Sequence, residues 1–362
     1  MNRTPITLAL CAGLAVAGCG APAQDPGTAA STPTSVSSSS TAGVASANTV
    51  EVVAATKAFL TTLSDEQRQR VLLDLDDAAR KAGWSNLPSI AFERPGIALG
   101  DLDDAQRQAV MAVLEAALSD EGYEEVQEIL VGDDYLGRVG TVEGAPAAAV
   151  FGSDYYNIAV FGEPSEESPF ALQFGGHHVA QTLTYSGGNV SMAPELIGVE
   201  PLQFEGEGTT YQPMADEGSV IAVLDGLTPE QRTAAELSGE FDDLLLGPQT
   251  DGPFPSEPEG QLVSELSQEQ QDAVTTAVRA WVGDVDEEAA EALLARYTSE
   301  YDQTYLGWSG GTALYDVETY IRIDGPALWI EFSNQEAIAV DGIHHHTIYR
   351  DQTADYGGRG AP

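Results

Sequence analysis

The hexapeptide Leu63-Ser64-Asp65-Glu66-Gln67-Arg68 returns three times in altered form: as Leu102-Asp103-Asp104-Ala105-Gln106-Arg107, as Leu227-Thr228-Pro229-Glu230-Gln231-Arg232, and as Leu266-Ser267-Gln268-Glu269-Gln270-Gln271. Each copy has the chemistry of a helix start. Ser, Asp or Thr supplies a side-chain oxygen for the first free backbone N–H groups, Gln three residues on can reach back to the cap, and acids in the first turn complement the dipole. Pro229 takes the first helical position, where its missing N–H costs nothing. Apolar residues follow at helical spacing: Val110, Val113, Leu114 and Ala117 after the second copy, Val274, Ala277, Val278 and Trp281 after the fourth.

Ser64 and Asp103 are 39 residues apart, as are Thr228 and Ser267, and the second pair follows the first by 164. Strand-like segments keep nearly the same offset. Tyr135-Leu136-Gly137 matches Tyr305-Leu306-Gly307, Asp154-Tyr155-Tyr156 matches Glu318-Thr319-Tyr320, and a Gly-rich approach precedes a histidine cluster in each half. Segments such as Tyr156 to Phe161 and Tyr320 to Ile323 alternate in part and end at Gly or Gly-Pro turns, as antiparallel strands do. These patterns predict an internally duplicated α+β protein of pseudo-two-fold symmetry, each half helices followed by antiparallel strands, with halves at 49–215 and 216–358.

Ahead of the first half, residues 1–19 read as a lipoprotein signal peptide: Arg3 as the positive region, Ile6 to Val16 as the apolar region, and Val16-Ala17-Gly18-Cys19 resembling a bacterial lipobox. Cys19 is then the lipidation site, the membrane is a partner through the lipid, and the protein is exported and extracytoplasmic. Ordinary secretion with cleavage after Ala21-Pro22-Ala23 is the alternative. Residues 20–48, rich in Ala, Ser, Thr and Pro, read as a disordered stalk. The other cysteine, Cys11, lies inside the signal, so any metal must be held by His, carboxylate or backbone oxygen. The net charge of -42 argues against nucleic acid as a partner. A solvated surface explains the spread of acids, with attraction of cations as the lesser reading.

All five histidines fall in Gly175-Gly176-His177-His178 and Gly342-Ile343-His344-His345-His346. On a strand His344 and His346 share one face while His345 points to the other, and His-x-His on a strand offers two nitrogens to one ion. At the first cluster strand geometry admits one of His177 and His178 to the same face and leaves open which. Two or three His with one carboxylate, for which Glu331 is the candidate, suit Zn²⁺, Cu²⁺ or Fe²⁺. Arg350 is a candidate for an anionic group on a substrate, or a structural partner of Asp351 or Asp355. Tyr156 and Tyr320 are candidate substrate contacts or packing residues. Gly307-Trp308-Ser309-Gly310-Gly311 matches a nucleophile-elbow pattern, but Leu314 to Ile323 read as a turn and a strand where an elbow needs a helix.

Taken together, the Leu-Ser-x-x-Gln-Arg starts, Trp84-Ser85-Asn86-Leu87-Pro88, Phe174-Gly175-Gly176-His177-His178, Tyr320 to Pro326, Ile330-Glu331-Phe332-Ser333-Asn334-Gln335, and His344-x-His346 running into Tyr349-Arg350-Asp351 resemble the bacterial domain-of-unknown-function family numbered 3500, over roughly residues 52–358. The resemblance implies a site of His177, His178, Glu331, Asn334, Gln335, His344, His346, Arg350 and Asp351, and no settled activity. Ser333 departs from the family's usual Asp. The expected function is a metal site at the seam of the two repeats, catalytic through Glu331, Arg350 and Asp351, with Tyr156, Tyr320, Asn334 and Gln335 touching an unidentified small-molecule or peptide ligand. The alternative is a non-catalytic binding module with structural histidines.

Overall fold

The computed structural model describes residues 43–142, 144–206, 208–248 and 253–358; the expected signal peptide, Cys19 and nearly all of the stalk lie outside them. Eight helices contribute to the main core: α1 (Thr49–Thr62), α2 (Asp65–Val71), α3 (Asp104–Ala117), α4 (Asp120–Val139), α5 (Ser219–Asp225), α6 (Pro229–Ala235), α7 (Gln268–Val282) and α8 (Glu287–Thr298). Ser64, Asp103, Thr228 and Ser267 each cap a helix in a full capping box, their side chains accepting from the backbone N–H three residues on. The Gln residues of neighbouring boxes also bond to each other, Gln67 with Gln106 at 3.0 and 3.1 Å and Gln231 with Gln270 at 2.8 and 3.2 Å. Two pairs of helix starts are thereby tied together.

A mixed sheet of 13 strands is built around β1 (Asn157–Phe161), β2 (Phe170–Gly175), β3 (Val179–Ser186), β4 (Glu195–Val199), β5 (Tyr305–Ser309), β6 (Tyr320–Asp324), β7 (Leu328–Glu336) and β8 (Ile343–Asp351). Their order is β5-β6-β7-β8-β4-β3-β2-β1, every adjacent pair antiparallel. The β4–β8 pairing carries one sheet across both expected halves. Alternation sorts the side chains: Val179, Ile197, Ile330 and Phe332 enter the main core with Val110, Leu114, Val274 and Val278 of the helices. Ala180, Leu196, Trp329 and Ile348 face the other way, under Trp84 and Leu246 from irregular chain.

Two expectations change. Tyr135-Leu136-Gly137 is helical, inside α4, whereas Tyr305-Leu306-Gly307 is strand, so that sequence match joins unlike structures. Val44–Ala45, at the end of the expected stalk, pair with Asn189–Ser191, and Asn48 donates to the carbonyls of Ala116 and Ala117. The ordered chain thus begins before residue 49. Among the described residues no helix is long and apolar enough to cross a membrane.

Candidate metal centre

β8 pairs His346 with Ser333 on β7 and with Gly198 on β4, and the Gly198 N–H donates to the carbonyl of His178 at 2.7 Å. The central strand therefore sets His178 and His346 on either side of Gly198. A β-carbon on Gly198 would stand 2.8 Å from His346 Cδ2 and 3.2 Å from His178 Cδ2. Only glycine leaves the imidazoles this room. His177 and His178 lie in the turn between β2 and β3, outside the strand ladder, so the period of two does not bind them. Both turn inward, with ring centroids 3.7 Å apart.

Donor nitrogens of His177, His178 and His344 lie within 4.8 Å of one another, and all three side chains are buried. His178 Nε2 and His344 Nε2 are 3.1 Å apart, near the roughly 3.3 Å kept by two nitrogens bound at about 2.0 Å to one tetrahedral ion. Behind His178, Asp133 Oδ1 holds Nδ1 at 2.6 Å and lies 3.5 Å from His177 Nδ1. Asp133 is itself held: Tyr156 donates its hydroxyl to Oδ2 at 2.7 Å and accepts from the His178 N–H. On the far side Glu200 Oε2 lies 3.5 Å from His344 Nδ1, while Oε1 accepts from the N–H groups of Ile338, Ala339 and Val340. The hydrogen bond to Asp133 is the arrangement that fixes the His178 ring and leaves its opposite nitrogen for a metal, whereas the buried Nδ1 atoms of His177 and His344 have no hydrogen-bond partner.

His346 stands beside this trio. Its ring centroid is 4.4 Å from that of His344, Asp243 and Gln335 lie 3.0 and 3.1 Å from Nδ1, and its buried Nε2 has no hydrogen-bond partner. A buried donor set with unfilled valence is what an ion would complete. Burial, then the neighbouring His178, pushes His177 down to about 3, and burial with the adjacent imidazoles pushes His344 well below its ordinary value. Burial thus favours the neutral form of His177 and His344, the form a metal ion requires. Burial alone would raise Asp133, yet the His178 and His177 imidazoles outweigh it and hold the carboxylate below its ordinary range.

The other expected site residues are arranged differently. Glu331 shares the sheet face of His344 and His346 but carries a network of its own, accepting from Tyr320, Trp329 and the N–H groups of Leu245 and Leu246. The carboxylates beside the imidazoles are Asp133, Glu200 and Asp243. Tyr156 and Gln335 reach the site; Tyr320 stays with Glu331. Asn334 holds His345 Nδ1 on the opposite face, where His345 packs on Phe332. Asp351 points into the helix layer, bonded by Tyr297 and Arg296 of α8. Arg350 pairs with Asp355 at 2.6 Å and lies over the rings of Phe254 and Trp84, so its guanidinium has a structural partner. Ser309 donates to the carbonyl of Gly239, and a turn then a strand follow it, so the nucleophile-elbow context is missing.

Asp133 carries a signal in the sequence: it interrupts the apolar stripe Val126, Ile129, Leu130, Leu136 of α4, where a charge needs a buried partner. Glu200, between a strand and Pro201, carried none. No curated protein and no solved structure matches the chain. The family model described as "Protein of unknown function (DUF3500)" matches residues 45–358, and the chain belongs to that family.

Proposed function

We propose that His177, His178 and His344 bind a divalent transition ion, Zn²⁺, Cu²⁺ or Fe²⁺, in a protein tethered to the outer face of a membrane through a lipid on Cys19. The observation that carries the metal reading is the convergence of three buried imidazoles, one of them, His178, hydrogen-bonded to a buried carboxylate. Imidazole donors without thiolate suit these ions better than Ca²⁺ or Mg²⁺. Such an ion supplies Lewis acidity. Asp133 orients the His178 ring, Tyr156 fixes Asp133, Glu200 lies 3.5 Å behind His344, and His346 stands beside the trio with its Nε2 unpartnered. Asp243, with 47 % of its side chain exposed, marks the side from which a small ligand enters. Glu331 and Arg350 then support the covering chain segment instead of the reacting atoms.

Metal analysis of purified protein tests the reading. One equivalent of metal is expected in the wild type and none in a His178→Ala, His344→Ala double variant; no stoichiometric metal under any loading condition overturns it. The second reading, a non-catalytic module that captures a ligand around a structural centre, is favoured by the burial of the trio, none more than 8 % exposed. Retained ligand capture by the metal-free protein would select it.

A further inference from the structure

The helix-covered side of the sheet holds a second polar cluster, made of carboxylates without imidazoles. Glu195 of β4, Glu217 ahead of α5, Glu125 of α4 and Asp284 just after α7 come together there. Glu195 and Glu217 are 1 % and 2 % exposed; Glu125 and Glu217 hydrogen-bond to each other, and the buried Oε2 of Glu195 has no partner. Burial and mutual repulsion raise all four acids above their ordinary values. Ionising these carboxyls at this depth is costly, and a bound cation lowers the cost.

Glu125, Glu217 and Asp284 open onto a cleft of about 180 Å³ that also takes in Glu121, Glu128 and Asp216. It adjoins a second cleft of about 360 Å³, with Glu121, Asp216 and Asp284 lining both. Arg279, on the second cleft, is engaged by Glu287 and Glu291. The shape decides between cations. Among the described residues no three of these carboxylates converge within 4.8 Å as the histidines do, and the clefts are far larger than an ion. Glu121 and Glu125 stand one helical turn apart, about 6 Å along the axis of α4, close to the separation of ammonium groups across a four-carbon chain.

We propose that this cleft binds a linear aliphatic polyamine, one terminal ammonium seated between Glu125, Glu217 and Asp284 and the next lying along Glu121. Calorimetric titration of spermidine into the purified full chain at moderate salt tests it. Saturable binding at one site is expected, weakened at least about tenfold by Glu217→Gln and unchanged by His344→Ala, which separates this site from the histidine centre. Asp284→Asn gives the same loss if Glu217→Gln fails to fold. The proposal is overturned by non-saturable uptake, by equal weakening in a Glu230→Gln, Glu240→Gln surface control, or by Ca²⁺ or Mg²⁺ displacing spermidine at lower concentration.

Discussion

The two buried polar clusters lie on opposite faces of one short strand, Glu195–Val199, and solve burial in opposite ways. On one face Gly198 has no side chain, and of the two imidazoles above it His178 is hydrogen-bonded to Asp133 and His346 lies 3.0 Å from Asp243. On the other, Glu195 joins three more acids whose only settled partner on the strand side is Gln181, at 2.6 Å. The imidazole face brings together buried ring nitrogens that could hold an ion. On the acid face, burial and mutual repulsion favour the protonated carboxyls. A buried group therefore signals function through what it still lacks more than through the pKa it shows.

The largest break in this comparison is expected from Asp133→Ala. It removes the acceptor of both His178 Nδ1 and the Tyr156 hydroxyl, and the loss is about 3–5 kcal/mol of stability, read by denaturant unfolding. Metal affinity falls about 10- to 100-fold; an unchanged affinity would mean the carboxylate does not orient the ring.

Next comes pH. Glu195 is raised by burial to about 8 and Glu217 to about 7, from an ordinary 4.5. Between about 4.5 and those values the folded state binds more protons than the unfolded one, so stability is fullest below the window and falls as pH rises through it. His177 works in the opposite sense, its contribution full above an ordinary 6.5 and lost toward about 3. Glu195→Gln should flatten the alkaline limb by on the order of 2 kcal/mol and leave the acid limb in place. Thermal midpoints across pH check this, and an unaltered alkaline limb would exclude Glu195 as its source.

Gly198→Ala should cost about 1–3 kcal/mol by overpacking and weaken metal binding, because the added carbon meets two imidazoles. Normal metal content in that variant would show that the rings can part. Gln335→Ala, which removes one of two contacts to His346, should change stability by less than about 1 kcal/mol and leave the metal in place, since the trio does not include His346.

Much of the fold was legible because its signals are local. Capping boxes at Ser64, Asp103, Thr228 and Ser267 need only four consecutive residues, and the faces of His344, His345 and His346 follow from strand parity alone. What failed was what parity or chain proximity could not see. His177 and His178 both serve the site because they sit in a turn. Glu331, two ladder positions from His346, looked like the missing ligand, yet Leu245 and Leu246, more than eighty residues before it, saturate it. Asp133 and Glu200 meet the imidazoles only through tertiary packing.

The centre gathers donors from residues 177–178 and 344, the two ends of 165 intervening residues, in a chain whose two cysteines are at positions 11 and 19. An ion held there is a cross-link. It closes a long loop as a disulfide would, restricting the unfolded chain far more than the folded one. The clasp differs in its key: reductants leave it shut, and a chelator opens it.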